Sequence, residues 1–249
     1  KIVVGFIGLS ESINIAIRSF TNEGDGVIIQ QPVYDPFATI VKNDNRKVVN
    51  NGLVHINNEF KMNLEELEAL AAKPENKLMV LCSPHNPVGR VWTKEELTAV
   101  AEICLKHDVL LVTDEIHADI VYEGYKHYPL LSLDKRYEEN FILLTAPSKT
   151  FNVAGLKASM SIIPNKELRE KFEHTQKAMS LDVRNTFGLE CVSAAYTDEG
   201  EEWMKQEIAY MQKNVDFLEK FVEEQMPGTK MIRPQGTFLC WLDLSELHL

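Results

Sequence analysis

Apolar and polar positions along the chain fall into alternating helix-like and strand-like stretches. Between Ser10 and Phe20 the apolar residues Ile13, Ile15, Ala16, Ile17 and Phe20 follow a Gly8-Leu9-Ser10 start, which predicts a helix. Gly26 to Gln30 predicts a short strand that ends before Pro32. Leu64 to Ala72 predicts a helix capped near Asn63, with Glu65 and Glu66 in the first turn, where carboxylates meet the positive end of the helix dipole. Thr93 to Glu96 spells a capping box, and its helix runs to about His107. Another helix is expected from Lys166 to about Met179. A long one is expected from Gly200 to Gln225, with Trp203, Ile208, Met211, Val215, Leu218 and Phe221 or Val222 on one stripe. Pro227-Gly228 ends it, and Lys230 to Leu242 reads as strands of a second region. There is no internal repeat and no low-complexity segment.

Three further strands, 77–82, 109–113 and 141–145, are nearly continuous apolar runs. Strands read this way when helices cover both faces of a mostly parallel sheet, so the fold class is α/β. In such folds ligands bind beyond the carboxyl ends of the strands. The residues just after each strand therefore carry the functional reading.

Composition narrows the classes. The chain has 249 residues, 45% hydrophobic and 25% charged, as in ordinary globular proteins. With 26 Lys and Arg against 37 Asp and Glu, its formal charge is −11, which argues against nonspecific nucleic-acid binding. No apolar run approaches the roughly 20 residues of a membrane helix, and the first residues carry no signal-peptide pattern. Cys82, Cys104, Cys191 and Cys240 form no CxxC and sit in apolar contexts, so reduced, buried thiols in a cytoplasmic protein are expected. Both ends read as cut: the chain opens on Lys1-Ile2-Val3-Val4 and stops soon after the strand-like Phe238 to Asp243.

After the first apolar strand comes Ser83-Pro84-His85-Asn86-Pro87-Val88-Gly89, after the second Asp114-Glu115-Ile116-His117, and after the third Ala146-Pro147-Ser148-Lys149. Singly, each has a plain explanation. Asn86-Pro87 with Gly89 is a turn, Asp114 a helix cap, His117 a polar residue at a helix start, and Lys149 a solvated charge. The spacing of Asp114, Glu115, His117 and Asp119 fits no metal motif, and nucleotide-binding glycine fingerprints are absent. Together, the groups fit pyridoxal 5′-phosphate. That cofactor needs a lysine for its aldimine, an acid beside the pyridine nitrogen and donors for the phenolate oxygen. It also needs an aromatic against the ring and a helix N-terminus for the phosphate. Gln31-Pro32-Val33-Tyr34 supplies the aromatic and Gly8-Leu9-Ser10 the helix start.

Four stretches, Pro32 to Phe37, Ser83 to Arg90, Thr113 to His117 and Ser148 to Leu156, resemble in order the fold-type I aminotransferases of class I/II. The resemblance is nearest to the MalY/PatB branch of cystathionine β-lyase-like C–S lyases and covers about Gly8 to Leu242. It implies that Lys149 is the catalytic lysine and covalent cofactor anchor, Asp114 the pyridinium partner and Asn86 the phenolate donor. His117 stands where many relatives have a tyrosine, a feature of the lyase branch. Tyr34 stacks on the ring, and Leu9, Ser10, Ser148 and Lys157 contact the phosphate. The run Gly8-Leu9-Ser10-Glu11-Ser12 departs from the Gly-Val-Val-Pro-Ala type expected there, Lys157 replaces a frequent arginine, and Ala146 replaces a hydroxyl. Lys126-His127 belongs to the branch signature without a derivable chemical role.

The resemblance further implies a three-layer large domain over 1–199, lacking its N-terminal part. The interdomain helix and the beginning of a small C-terminal α+β domain follow over 200–249. The implied reaction is β-elimination from an L-amino acid such as cystathionine, giving a thiol, pyruvate and ammonia, in a homodimer. Transamination is the alternative, and a regulatory or binding protein retaining the fold is a third reading. The family's carboxylate-binding arginine is not recognisable, since Arg184 and Arg233 lie in other contexts.

Overall fold

The computed structural model describes residues 2–5, 7–183 and 185–247, so Arg184 lies outside the described residues. A seven-stranded sheet runs through the chain. Its strands are β1 (Ile2–Gly5), β2 (Gly26–Ile29), β3 (Lys47–Asn50), β6 (Asn76–Cys82), β7 (Leu110–Asp114), β8 (Phe141–Thr145) and β9 (Ser159–Ile162). Their order across the sheet is β1-β9-β8-β7-β6-β2-β3. The pairs from β3 through β8 are parallel, while β9 runs antiparallel to both β8 and β1. The hairpin β4 (Val54–Ile56) and β5 (Glu59–Lys61) and the pair β10 (Lys230–Ile232) and β11 (Trp241–Asp243) form two small separate sheets.

Helices cover both faces, as the apolar strands require. On one face α1 (Leu9–Phe20), α2 (Pro36–Asn43) and α5 (Lys166–Ala178) bury Ile13, Ile17, Phe37 and Phe172 against Val80, Val112 and Leu144. On the other, α3 (Leu64–Ala71) and α4 (Lys94–Lys106) bury Leu67, Leu97 and Val100 against Met79, Leu81 and Leu111. The predicted caps form: Asn63 accepts from the Glu66 amide, and Thr93 and Glu96 make both bonds of the capping box. After α6 (Thr186–Ala195), the long α7 (Asp198–Gln225) starts two residues before its expected Gly200, because Thr197 accepts from the Gly200 amide as the cap. Val222, and not Phe221, lies on its packed stripe with Val215 and Leu218, while Phe221 and Trp203 are exposed. Cys82 and Cys104 are buried free thiols. Cys191 and Cys240 are only partly buried, which corrects the expectation that all four lie inside.

The C-terminal segment is tied back onto the sheet. Gln235 Oε1 accepts from Arg90 Nε at 3.1 Å and from the Val91 amide at 2.9 Å, and Gly89 O accepts from the Gln235 and Gly236 amides. Arg90 itself is buried, paired through both Glu96 oxygens and held at 3.0 Å from Glu59. This lock carries residues 235–238 across the carboxyl edge of the sheet, where the Thr237 amide bonds Ile120 O.

Candidate active site

The strand register dictates where the site forms. β6, β7 and β8 are adjacent and parallel, and Cys82 pairs with Asp114, which pairs with Leu144. The chain leaves all three at one edge, and β2 beside them leads to Tyr34 at the same edge. The N-terminus of α1 also faces this edge. One cavity of about 220 Å³ results, and Leu9, Ser10, Tyr34, Asn86, Asp114, His117, Ser148, Lys149 and Lys157 all line it. Every residue to which the resemblance gives a cofactor contact is therefore brought together.

Local structure settles several of the plain explanations. Asn86 does sit in a turn, closed by the His85 and Arg90 bridge, and lines the cavity as well. Asp114 caps no helix: a turn follows β7, and Asp114 Oδ1 accepts from the Ile116 amide at 3.1 Å. His117 lies in that turn and not at a helix start. Lys149 is half-buried in the turn after β8, with no hydrogen bond or ion pair among the described residues. Its Nζ lies 5.9 Å from the centre of the Phe238 ring.

Electrostatics at the strand ends are unusual. Burial pushes the Asp114 carboxyl up to about 7, and the neighbouring Glu115 adds to the rise; the Ile116 amide and Lys149 pull it down. Burial lowers His117 to about 4, and Lys149 lowers it further, so its ring is neutral at pH 7. Both His117 ring nitrogens are buried without a hydrogen-bond partner among the described residues, a costly state that a ligand atom would relieve. The Phe238 ring meets the His117 ring edge-on at 5.2 Å. Burial raises the Cys82 thiol well above its ordinary range, with Asp114 adding to the rise, so it is an inert lining group.

Sequence reasoning missed Glu11 and Phe238. Glu11 lies in the run that departs from the expected pattern, a signal that was visible but carried no role. Phe238 had no signal, since long-range bonds from Gln235, Gly236 and Thr237 to Gly89 and Ile120 bring the C-terminal segment over Lys149. Lys157 lines the cavity but is held by Glu11 Oε1 at 3.3 Å. Arg233 is engaged by Asp216 and Glu219 of α7. Among the described residues no three His, Cys, Asp or Glu side chains group as metal ligands.

An amine, a buried carboxyl, an amide, a neutral imidazole and a helix N-terminus around one cavity can hold and activate a carbonyl compound that carries an anionic tail. Known proteins resemble the chain over nearly its whole length. The cystathionine beta-lyase PatB of Bacillus subtilis is 38% identical over 242 residues, which is 97% of this chain and 62% of the relative. Protein MalY of Escherichia coli is 33% identical over 94% of this chain and 59% of its own length. The crystal structure of cystalysin from Treponema denticola, described as containing a pyridoxal 5′-phosphate cofactor, superposes with a TM-score of 0.97 at 38% identity. That match covers all of this chain and 62% of the other. The chain thus spans about three fifths of the length of the relatives it matches. The profile of the aminotransferase class I and II family matches residues 2–248 without leaving either half of the fold out, and the chain belongs to that family.

Proposed function

We propose that this protein is a pyridoxal 5′-phosphate-dependent carbon–sulfur β-lyase acting on a thioether L-amino acid of the cystathionine type. The observation that carries the reading is the meeting of Lys149, Asp114 and Asn86, from three adjacent strand ends, in one cavity. The residues fit the cofactor on their own chemistry. Asp114 is a buried carboxyl in want of a cation, the His117 nitrogens want a partner, and the start of α1 offers free amides to a phosphate.

In this reading Lys149 would anchor the cofactor through Nζ, Asp114 would pair with the ring nitrogen, and Asn86 would donate to the ring oxygen. Tyr34 and His117 would contact the ring, and Leu9, Ser10, Ser148 and Lys157 would serve the phosphate. Bound there, the cofactor would supply an electron sink for the charge that develops at the substrate Cα. With the cofactor and substrate bound, Lys149 Nζ would take the Cα proton and hand a proton to the departing sulfur. The centre of the Phe238 ring lies 5.9 Å from this amine. The net change consumes one water and releases a thiol, pyruvate and ammonia.

We also propose that the protein is cytoplasmic and homodimeric, and that the chain divides near residue 199 into a larger cofactor-binding part and the beginning of a smaller one. The family's name keeps transamination as the second reading, since the same lysine and acid serve both reactions. The test adds pyridoxal 5′-phosphate and follows visible absorbance, then assays pyruvate and thiol from cystathionine with and without a keto acid. The lyase reading expects product without the keto acid; product only with it favours the transaminase. Lys149→Ala is expected to abolish both the absorbance and turnover, and wild-type turnover in that variant would overturn the reading.

A further inference from the structure

A negative charge of the chain's own lies close to the front of α1. Gly8 is its N-cap and offers no side-chain bond, and the first intrahelical bond runs from the Ser12 amide to Gly8 O. The amides before Ser12 are therefore the unpaired, positive end of the helix, where an anion belongs. Glu11, in the first turn, bends back over that end. A Cβ built on Gly8 would lie 2.3 Å from Glu11 Oε2 and 3.3 Å from Oε1, so the carboxylate sits directly over the Gly8 backbone. Its Oε1 lies 3.3 Å from Lys157 Nζ. Lys157 is held there by a left-handed backbone, φ 51°, at the end of the turn 154–156. Both side chains line the same cavity as Leu9 and Ser10.

We propose that Glu11 is an internal competitor for the cofactor's phosphate, and that phosphate binds by displacing Glu11 from the helix front and taking over Lys157. The proposal takes its ligand from the cofactor reading above. Its physical basis is simple. A phosphate monoester carries close to two negative charges, and a carboxylate within a few ångströms repels it. The carboxylate also engages Lys157, which lines the cavity beside Lys149. Neither partner is locked: Glu11 and Lys157 side chains are 37% and 61% exposed, and so solvated an ion pair exchanges readily. Glu11 therefore sets how tightly the phosphate end is held and leaves the chemistry at Lys149 untouched. A glutamate that merely helps its helix start would favour folding and leave ligand affinity alone.

The experiment titrates pyridoxal 5′-phosphate, pyridoxal and inorganic phosphate into the wild type, Glu11→Gln, Lys157→Gln and the double variant. Absorbance follows the pyridoxal compounds and thermal shift follows phosphate. Glu11→Gln is expected to bind pyridoxal 5′-phosphate about tenfold more tightly at low salt, a gain that shrinks as salt screens the repulsion. Pyridoxal, which lacks the phosphate, should bind both proteins alike. Lys157→Gln should weaken phosphate binding, and the gain from Glu11→Gln should be smaller in the double variant. Equal or weaker binding of pyridoxal 5′-phosphate by Glu11→Gln would overturn the proposal while leaving the cofactor reading standing. If no pyridoxal compound binds, the cofactor reading falls, and the phosphate arm still decides the role of Glu11: tighter phosphate binding by Glu11→Gln supports it and equal binding rejects it.

Discussion

His127 Nε2 lies 2.8 Å from Glu115 Oε2, and both side chains are almost fully buried beside the strand end that carries Asp114. Glu115 also accepts from the Leu130 amide and from Thr113 Oγ1, each at 3.1 Å. The pair thus pins the loop 115–130 to the end of β7, and this gives His127 of the Lys126-His127 signature a structural role. His127→Ala leaves a buried carboxylate short of a donor, which is expected to cost about 2–3 kcal/mol of stability. Urea unfolding measures it, and His127→Gln, which keeps a donor, should recover part of the loss. A variant as stable as the wild type would contradict the pairing.

Asp114 and His117 make opposite contributions to the pH dependence of the cofactor-free protein. The Asp114 carboxyl rises from 3.8 to about 7 on folding, mainly through burial, so the folded chain keeps a proton that the unfolded chain releases. Stability from this group is full below about pH 4 and is lost as pH rises through about 7. His117 falls from 6.5 to about 4, again mainly through burial, so its contribution is present above pH 6.5 and is lost as pH falls toward 4. Asp114→Asn keeps an acceptor for the Ile116 amide but cannot ionise. Its stability relative to wild type should therefore climb from about pH 4 to 7 and then level. The climb amounts to a few kcal/mol, since one proton held across each pH step of one is worth about 1.4 kcal/mol. Chemical denaturation at pH 4.5, 6 and 7.5 checks the slope. Parallel curves for the two proteins would rule out a buried, raised Asp114.

Gly89 has φ +72°, and a Cβ there would meet Pro234 Cβ at 2.6 Å and Pro234 Cα at 2.9 Å. Gly89→Ala must strain its own backbone and push away the segment that brings Phe238 over Lys149. A loss of roughly 2–4 kcal/mol is expected. A second consequence separates this from ordinary destabilisation: Lys149 should be labelled faster by an amine-reactive reagent under conditions where the variant remains folded, as read by mass spectrometry. An unchanged labelling rate would show that the lock does not govern access to the lysine.

Legibility along the chain followed burial. β6, β7 and β8 are buried on both faces and read directly as apolar runs, and α3, α4 and α7 were marked by their caps and stripes. β3 at the sheet edge and the largely exposed β4–β5 hairpin carry no such pattern. β9 inverts the usual one: Ser159 and Ser161 point into the buried side while Met160 and Ile162 are less covered, with Ser159 Oγ 3.1 Å from Ser12 Oγ. α2 begins at Pro36 inside a stretch read for its motif, and so escaped notice as a helix.

By itself the sequence determined the parallel core and the chemical set Lys149, Asp114, Asn86, His117 and Tyr34, because each follows a strand whose apolar run is written locally. Only the tertiary structure decided what those groups face. The strand register placed them at one edge, and the Gly89–Gln235 lock brought Phe238 onto Lys149. The fold of the first helical turn set Glu11 over Gly8 and against Lys157. Those relations join residues far apart in the chain, or depend on the direction of a single side chain, and periodicity along a sequence encodes neither.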